Sequence, residues 1–202
     1  MSDIKVPLVD EDDKIVGWME KETAHRSTAD HPFGHLHRAF SVFIFSPDRQ
    51  RVLLQQRSMS KKTFPSAWTN AVCSHPAENE IYGWSGIARA AQRRVYEELG
   101  VDIPAHQFQP FMRFIYQAKS DGSKYCEWEM DYVVWTCINE DKVDEKQLNA
   151  HEVSAIKWVK TTEFSQLALA DPKAFSPWTV KLIQSGFYER ICDGLIEEIV
   201  NL

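Results

Sequence analysis

Apolar and polar positions alternate on either side of an acidic turn in KVPLVD-EDD-KIVGWMEK, and this two-residue period predicts an opening β-hairpin. HRAFSVFIFS and RVLLQQRS, parted by PDRQ, are rich in β-branched and aromatic residues and predict a second hairpin. The period then changes. WSGIARAAQRRVYEELG sets Ile87, Ala91 and Val95 on one stripe and ends at Gly100, a residue suited to a C-terminal cap, so a helix is predicted from about Trp84 to Gly100. FMRFIYQAKS and CEWEMDYVVWTCI, with the turn DGSK between them, predict a third hairpin, and EVSAIKWVK one more strand. The chain closes on helical signals: TTEFSQLALA, opening on a threonine cap, then a long segment that carries Pro177 in its first turn and runs to Leu202. Several strands, one central helix and flanking helices make an α/β protein with a mixed sheet.

Composition narrows this further. No Gly/Ser-rich or Pro-rich tract divides the 202 residues, so a single domain spanning residues 1–202 is expected. The longest apolar run, AFSVFIF, falls well short of the roughly 18 residues a transmembrane helix needs. The acidic start MSDIKVPLVDEDDK lacks the pattern of a signal or transit peptide, and a cytoplasmic address is expected. Four widely spaced cysteines (Cys73, Cys126, Cys137 and Cys192) without a C-x-x-C pair point to a reducing compartment rather than a disulfide framework. A net charge of −6 with scattered Lys and Arg gives no nucleic-acid footprint.

Three groups of residues could carry chemistry. In CEWEMDY, strand geometry puts Glu127, Glu129 and Asp131 on one face. That is ordinarily a solvated edge, but the following YVVW is apolar on both faces and marks a strand entering the core. Carboxylates there would need a compensating cation. On the predicted helix, Glu98 joins the apolar stripe while Glu97 projects to solvent. Its partner is either Arg94 one turn earlier or a divalent ion. Histidines 25, 31, 35, 37 and 75 have no local metal-ligand spacing, so a metal site would have to be assembled across strands. The stretch QRSMSKK offers Arg57, Lys61 and Lys62, either as a solvated loop or as the cations a diphosphate requires, with Lys21 a further candidate.

LHRAFS, QRSMSKKTFPSAWTNAVCSHP, YEELGV, EWEMDYV and AFSPW occur in that order, and together they resemble the type 1 isopentenyl-diphosphate isomerases, a branch of the Nudix fold, from about Lys21 to Trp178. The resemblance implies a Nudix-like mixed sheet sandwiched by helices, with an added N-terminal hairpin and C-terminal helices. It implies a metal-assisted 1,3-allylic proton shift between isopentenyl and dimethylallyl diphosphate, a step of isoprenoid biosynthesis. Carried over by position, Cys73 and Glu129 would transfer the protons, Tyr116 would assist near the glutamate, and Trp178 would close the pocket. His25, His37, His75, Glu127 and Glu129 would ligate one divalent metal (manganese, zinc or magnesium), and Glu98 would help hold magnesium on the diphosphate. Lys21, Arg57 and Lys61 would contact the phosphates.

The residue types suit that chemistry. Protonating an unactivated alkene gives a tertiary carbocation, so the site needs a positioned acid, a base and exclusion of water. An indole face can stabilise the cation. The sequence also departs from the hydrolytic Nudix pattern, with Arg94 where a metal-binding glutamate is expected and Asn79 in place of a glycine. The competing readings are a Nudix diphosphohydrolase, which Arg94 disfavours, and a catalytically inert metal- or head-group-binding module, which would have no use for the Cys73 thiol. The expected partner is a small allylic or homoallylic diphosphate met by a monomer, with no nucleic acid and no membrane.

Overall fold

The computed structural model describes residues 4–193. Residues 194–202, where the predicted helical tail would end, lie outside them. The first hairpin forms from β1 (Lys5–Val9) and β2 (Ile15–Glu20), and a short helix α1 (Lys21–Ala24) follows directly. β3 (His37–Phe45) is buried along its whole length. β8 (Cys126–Cys137) pairs with it in parallel from His37↔Glu129 to Phe45↔Cys137, and β7 (Gln109–Lys119) pairs antiparallel with β8. A strand buried on both faces reads as a near-continuous apolar run, which is why AFSVFIF carries so little alternation.

The second predicted hairpin forms only at its turn. β4 (Arg51–Arg57) meets β3 at the single pair Phe45↔Val52 and then runs alongside β9 (Val153–Lys160), with two residues of β5 (Trp68–Thr69) also paired to it. The reason is occupancy. β8 takes one edge of β3, while β1, β6 (Val72–Ser74) and the start of β4 divide the other at His37, Phe40–Val42 and Phe45.

The two faces of this mixed sheet bury different layers. Phe40, Val42, Ile44, Met130, Tyr132 and Val134 pack with Ile87, Ala91 and Val95 of α2 (Gly83–Leu99). Phe43, Phe45, Phe114, Tyr116 and Val133 pack with α3 (Thr161–Ala170), α4 (Pro177–Gln184) and α5 (Phe187–Asp193). α2 ends as predicted at Gly100, whose φ of 72° lies in the left-handed region and whose N–H donates to Tyr96 O. Pro177 opens α4 in its first turn, but the long C-terminal helix is broken at Ser185–Gly186 before α5 begins. Thr161 does not cap α3. Lys160 holds the cap position in an extended conformation, and no side chain caps the helix.

One glycine draws the histidines together. Gly34 has φ of +73°, and a Cβ there would lie 2.2 Å from the carbonyl oxygen of Ala24. The bare backbone lets the loop after α1 fold back so that His35 N–H donates to Ala24 O at 2.9 Å. The rings of His25 and His37 then lie 4.5 Å apart.

Candidate active site

His37 opens β3 opposite Glu129 of β8, and Tyr116 of β7 lies opposite Glu129 on its other side. Ser41, two pairs further along the same face of β3, lies opposite Cys73 of β6. Period two therefore sets His37, Ser41, Cys73, Glu127, Glu129 and Asp131 on one face, and antiparallel pairing brings His75 in beside Cys73. The acidic run is no solvated edge: Glu127, Glu129 and Asp131 are only 4 %, 6 % and 1 % exposed.

Three imidazoles surround one oxygen of Glu129. Oε1 lies 3.0 Å from His75 Nε2, 3.3 Å from His37 Nε2 and 3.5 Å from His25 Nε2. His25 and His37 each direct Nδ1 at a backbone carbonyl, Lys21 O and His35 O, at 2.7 Å. A carbonyl only accepts, so each ring carries a proton on Nδ1 and turns Nε2 inward. His37 Nε2 and His75 Nε2 are 3.1 Å apart, and His25, His37, His75 and Glu129 offer ligand atoms all within 4.8 Å of one another. Ring nitrogens converging beside buried carboxylates fit a divalent cation of intermediate softness.

The electrostatics show how strongly the buried carboxylates call for positive charge, which a proton on His25 meets and which a metal would meet by displacing that proton. Burial alone would lower His25, yet Glu127, whose Oε2 is 3.2 Å away, and Glu129 outweigh it and raise the ring to about 9. Burial dominates at His75 and, with Lys21 nearby, holds its ring well below the usual histidine value. Glu129 is held well below the carboxylate range although burial opposes this, because His25 and His37 bond to it.

Glu129 Oε2 turns from the imidazoles and accepts a 2.5 Å bond from the Tyr116 hydroxyl, whose own pKa burial and the Glu129 charge drive far upward. Cys73 is a free thiol, pushed up to about 12 by burial and then by Asp131. Trp178 is 2 % exposed and sends its Nε1–H toward Cys73 Sγ at 3.1 Å. Cys73, Glu129, Tyr116 and Trp178 line one cavity of about 490 Å³ together with His25, His75 and Glu127.

Cations also line that cavity: Lys21, Arg57, Lys61 and Lys62. Burial, then the charges of Lys61 and Arg94, lower Lys21 to about 8. The Arg57 guanidinium donates to Thr63 O at 2.8 Å and Phe64 O at 3.1 Å, holding a loop in which Phe64 and Ser66 have φ of 45° and 63°. Lys61 pairs with Glu152, and Lys62 with Glu22 at 2.5 Å.

Glu98 is brought elsewhere. Its carboxylate, 1 % exposed, accepts from Arg94 at 2.6 Å and from the Gln55 amide at 3.3 Å, and it does not line the cavity. Arg94, one of the two partners open to it, pairs with it here. Residue-by-residue reading assigned nothing to Ser41, Thr69, Asn70 or Glu152, which touch site residues, or to Thr179, which touches Asn70. The only local signal was that Thr69 and Asn70 fall inside the WTN run.

Comparison with known proteins agrees with this architecture. Residues 35–179 match the NUDIX domain, so this is a protein of the Nudix fold. A Deinococcus radiodurans crystal structure superposes with a TM-score of 0.64 at 19 % identity over 90 % of this chain and 98 % of that one. A NUDIX hydrolase from Alicyclobacillus acidocaldarius gives 0.57 at 10 % identity, over 79 % and 96 % of the two chains. At such identities the likeness is one of fold alone. Sequence relatives are more specific. Isopentenyl-diphosphate Delta-isomerase I of Camptotheca acuminata is 40 % identical over 100 % of this chain and 90 % of its own. The chloroplastic isopentenyl-diphosphate Delta-isomerase I of Arabidopsis thaliana is 38 % identical over 96 % and 70 %. The chain belongs to the isopentenyl-diphosphate Delta-isomerases. Among the described residues, no helix is long and apolar enough to cross a membrane.

Proposed function

We propose that the chain converts isopentenyl diphosphate to dimethylallyl diphosphate, with Cys73 and Glu129 as the two proton-transfer groups. The observation that carries this reading is that a thiol and a carboxylate from strands flanking β3 line one cavity that Lys21, Arg57 and Lys61 also line. The cations would hold the diphosphate and leave the alkene in the buried interior. One group delivers a proton to the terminal alkene carbon. The resulting tertiary cation loses a proton from the carbon on its other side, to the second group. The reaction is reversible, so each must both give and take a proton.

Tyr116 holds Glu129 Oε2 in place by a 2.5 Å bond and is near enough to share its proton. Trp178, buried beside Cys73, excludes water and offers an aromatic face, an interaction worth about 2 kcal/mol or more to a desolvated cation. A divalent metal held by His25, His37, His75 and Glu129, with Glu127 beside them, would supply fixed positive charge that orients Glu129 and tunes its acidity. Manganese, zinc and magnesium each suit this mixed nitrogen and oxygen set. Glu98 would help hold a magnesium ion of the substrate through Oε2, the oxygen that Arg94 does not engage.

Arg94 also argues against diphosphate hydrolysis, because a guanidinium replaces a carboxylate and clamps Glu98. The free cysteines support a cytosolic, reducing address, while the Arabidopsis relatives are named as chloroplastic proteins. The test is incubation with isopentenyl diphosphate in deuterated water, with and without chelator. Deuterium entering dimethylallyl diphosphate only when metal is present is the expected result. Release of inorganic phosphate without isomerisation would overturn the reading.

A further inference from the structure

Asn70 stands between β5 and β6, wholly buried, in the WTN run for which the proposed chemistry has no role. Its surroundings fix its amide. Nδ2 donates to two main-chain carbonyls, Val42 O at 3.0 Å and Val72 O at 2.9 Å. Oδ1, which can only accept, therefore faces the site. Four donors converge on that one atom: Thr69 Oγ1 at 2.9 Å, Cys73 Sγ at 3.1 Å, Trp178 Nε1 at 3.1 Å and Thr179 Oγ1 at 3.4 Å. An amide oxygen has two lone pairs, so it is oversubscribed.

The other acceptors near the thiol are more distant. Ser41 Oγ lies 3.6 Å and Thr69 Oγ1 3.7 Å from Cys73 Sγ. Ser41 donates its own proton to Asp131 Oδ2 at 2.8 Å. Behind Asn70, the hydroxyl oxygens of Thr69, Ser176 and Thr179 lie 2.8 to 3.2 Å apart. With Thr69 and Thr179 donating to Asn70 Oδ1, Ser176 is the one left to donate among them, to Thr179 at 2.8 Å, and the link from β5 to the start of α4 runs through the Asn70 oxygen. The thiol on β6 and the indole on α4 belong to different layers of the fold. The indole N–H points between Cys73 Sγ and Asn70 Oδ1, each at 3.1 Å, so the two side chains touch directly and share this one acceptor.

We propose that Asn70 is a positioning residue that orients the Cys73 thiol and the Trp178 indole together, by accepting from both through one side-chain oxygen whose direction β3 and β6 carbonyls fix. The use of that orientation rests on the isomerase reading. The hydrogen bond itself does not.

The S–H stretching band of Cys73, isolated as the infrared difference between wild type and Cys73→Ala, reads the bond directly and without substrate. In Asn70→Ala the band moves to higher frequency, because the thiol loses its acceptor. In the same variant kcat for isomerisation falls by about 10²-fold, the cost of a misplaced reacting group, while KM is unchanged. In Thr69→Val, which leaves both Asn70–carbonyl bonds in place, one competing donor is gone and the band moves to lower frequency. A merely structural Asn70 would lower stability and leave both bands at the wild-type position, and that result overturns the proposal. Should Asn70→Ala fail to fold, the Thr69→Val band decides alone, and an unmoved or raised band counts against it. The band shifts in the variants, together with a wild type that does not isomerise isopentenyl diphosphate, would instead refute the isomerase reading.

Discussion

On one face of β3 and β8, Phe40, Val42, Ile44, Met130, Tyr132 and Val134 lie against α2, all at most 4 % exposed. On the other face of the same two strands, His37, Ser41, Glu127, Glu129 and Asp131 are no more than 6 % exposed. The two sets are equally dry and chemically opposite. Each side chain of the first contributes about 1.5–3 kcal/mol by leaving water. Each carboxylate of the second costs several kcal/mol unless a charge or donor meets it. The α2 face stabilises the fold along its length, whereas the other face is divided: Phe43, Phe45 and Val133 pack against α3, α4 and α5, and the polar residues before them draw on that stability to hold a site. Because alternate residues of the same strands build both, a slip of one residue would exchange them, so the parallel β3–β8 register is as much a functional feature as a structural one.

The sharpest separation of the faces is kinetic. Cys73→Ala and Glu129→Gln should each keep the far-ultraviolet circular dichroism of wild type and lower isomerisation by about 10²–10⁴-fold, the usual worth of a positioned acid or base. Near-normal turnover in either would remove the polar face from the chemistry. The converse substitution, Ile87→Ala, should lower unfolding free energy by about 2–5 kcal/mol in urea titrations and leave turnover per folded molecule unchanged.

The polar face should also respond to metal where the apolar face does not. Chelator should lower the stability of wild type by about 2–3 kcal/mol if metal is present at roughly a hundred times its dissociation constant. His37→Gln should show no such response in thermal unfolding and no bound metal by elemental analysis. Equal chelator shifts in both proteins would place the metal elsewhere.

The smallest effect lies away from both faces. Burial would raise Glu80, but Arg93, bonded to it at 2.8 Å through both Nε and Nη2, and Ala77 N–H hold it below its ordinary 4.5. A carboxyl lowered on folding stabilises fully above its unfolded pKa, and the contribution is lost as pH falls through the folded value. Glu80→Gln should therefore cost about 1 kcal/mol at neutral pH, with the gap closing in acid below 4.5. A gap that persists in acid would mean that the loss is steric rather than electrostatic.

Much of this was legible along the chain, for identifiable reasons. Period two in β7 and β8 and the stripe on α2 are local patterns, so the hairpin and the helix could be read without knowing their neighbours. The stripe even marked Glu98 as buried. It left Arg94 and a metal equally eligible as its partner, because that choice depends on Gln55 of β4 and on which side of the sheet α2 lies. PDRQ was a sound turn, yet nothing in RVLLQQRS says that β8 and β6 have filled the edges of β3 and that β4 must turn to β9. The Thr161 cap failed because Lys160 already completes the entry into α3.

The sequence alone determined which residues share a face and which segments fold as strands or helix, since covalent geometry sets those periods within a few residues. Family resemblance added the expected roles of Cys73, Glu129 and the histidines. Only the tertiary structure decided that His25, His37, His75 and Glu129 meet within 4.8 Å, that Tyr116 takes the second oxygen of Glu129, and that Asn70 joins Cys73 to Trp178. Asn70 and Cys73 are chain neighbours and Tyr116 and Glu129 share one hairpin, but the histidine cluster and Trp178 are brought in from far along the chain by strand pairing and by the docking of α4, and no local period encodes either.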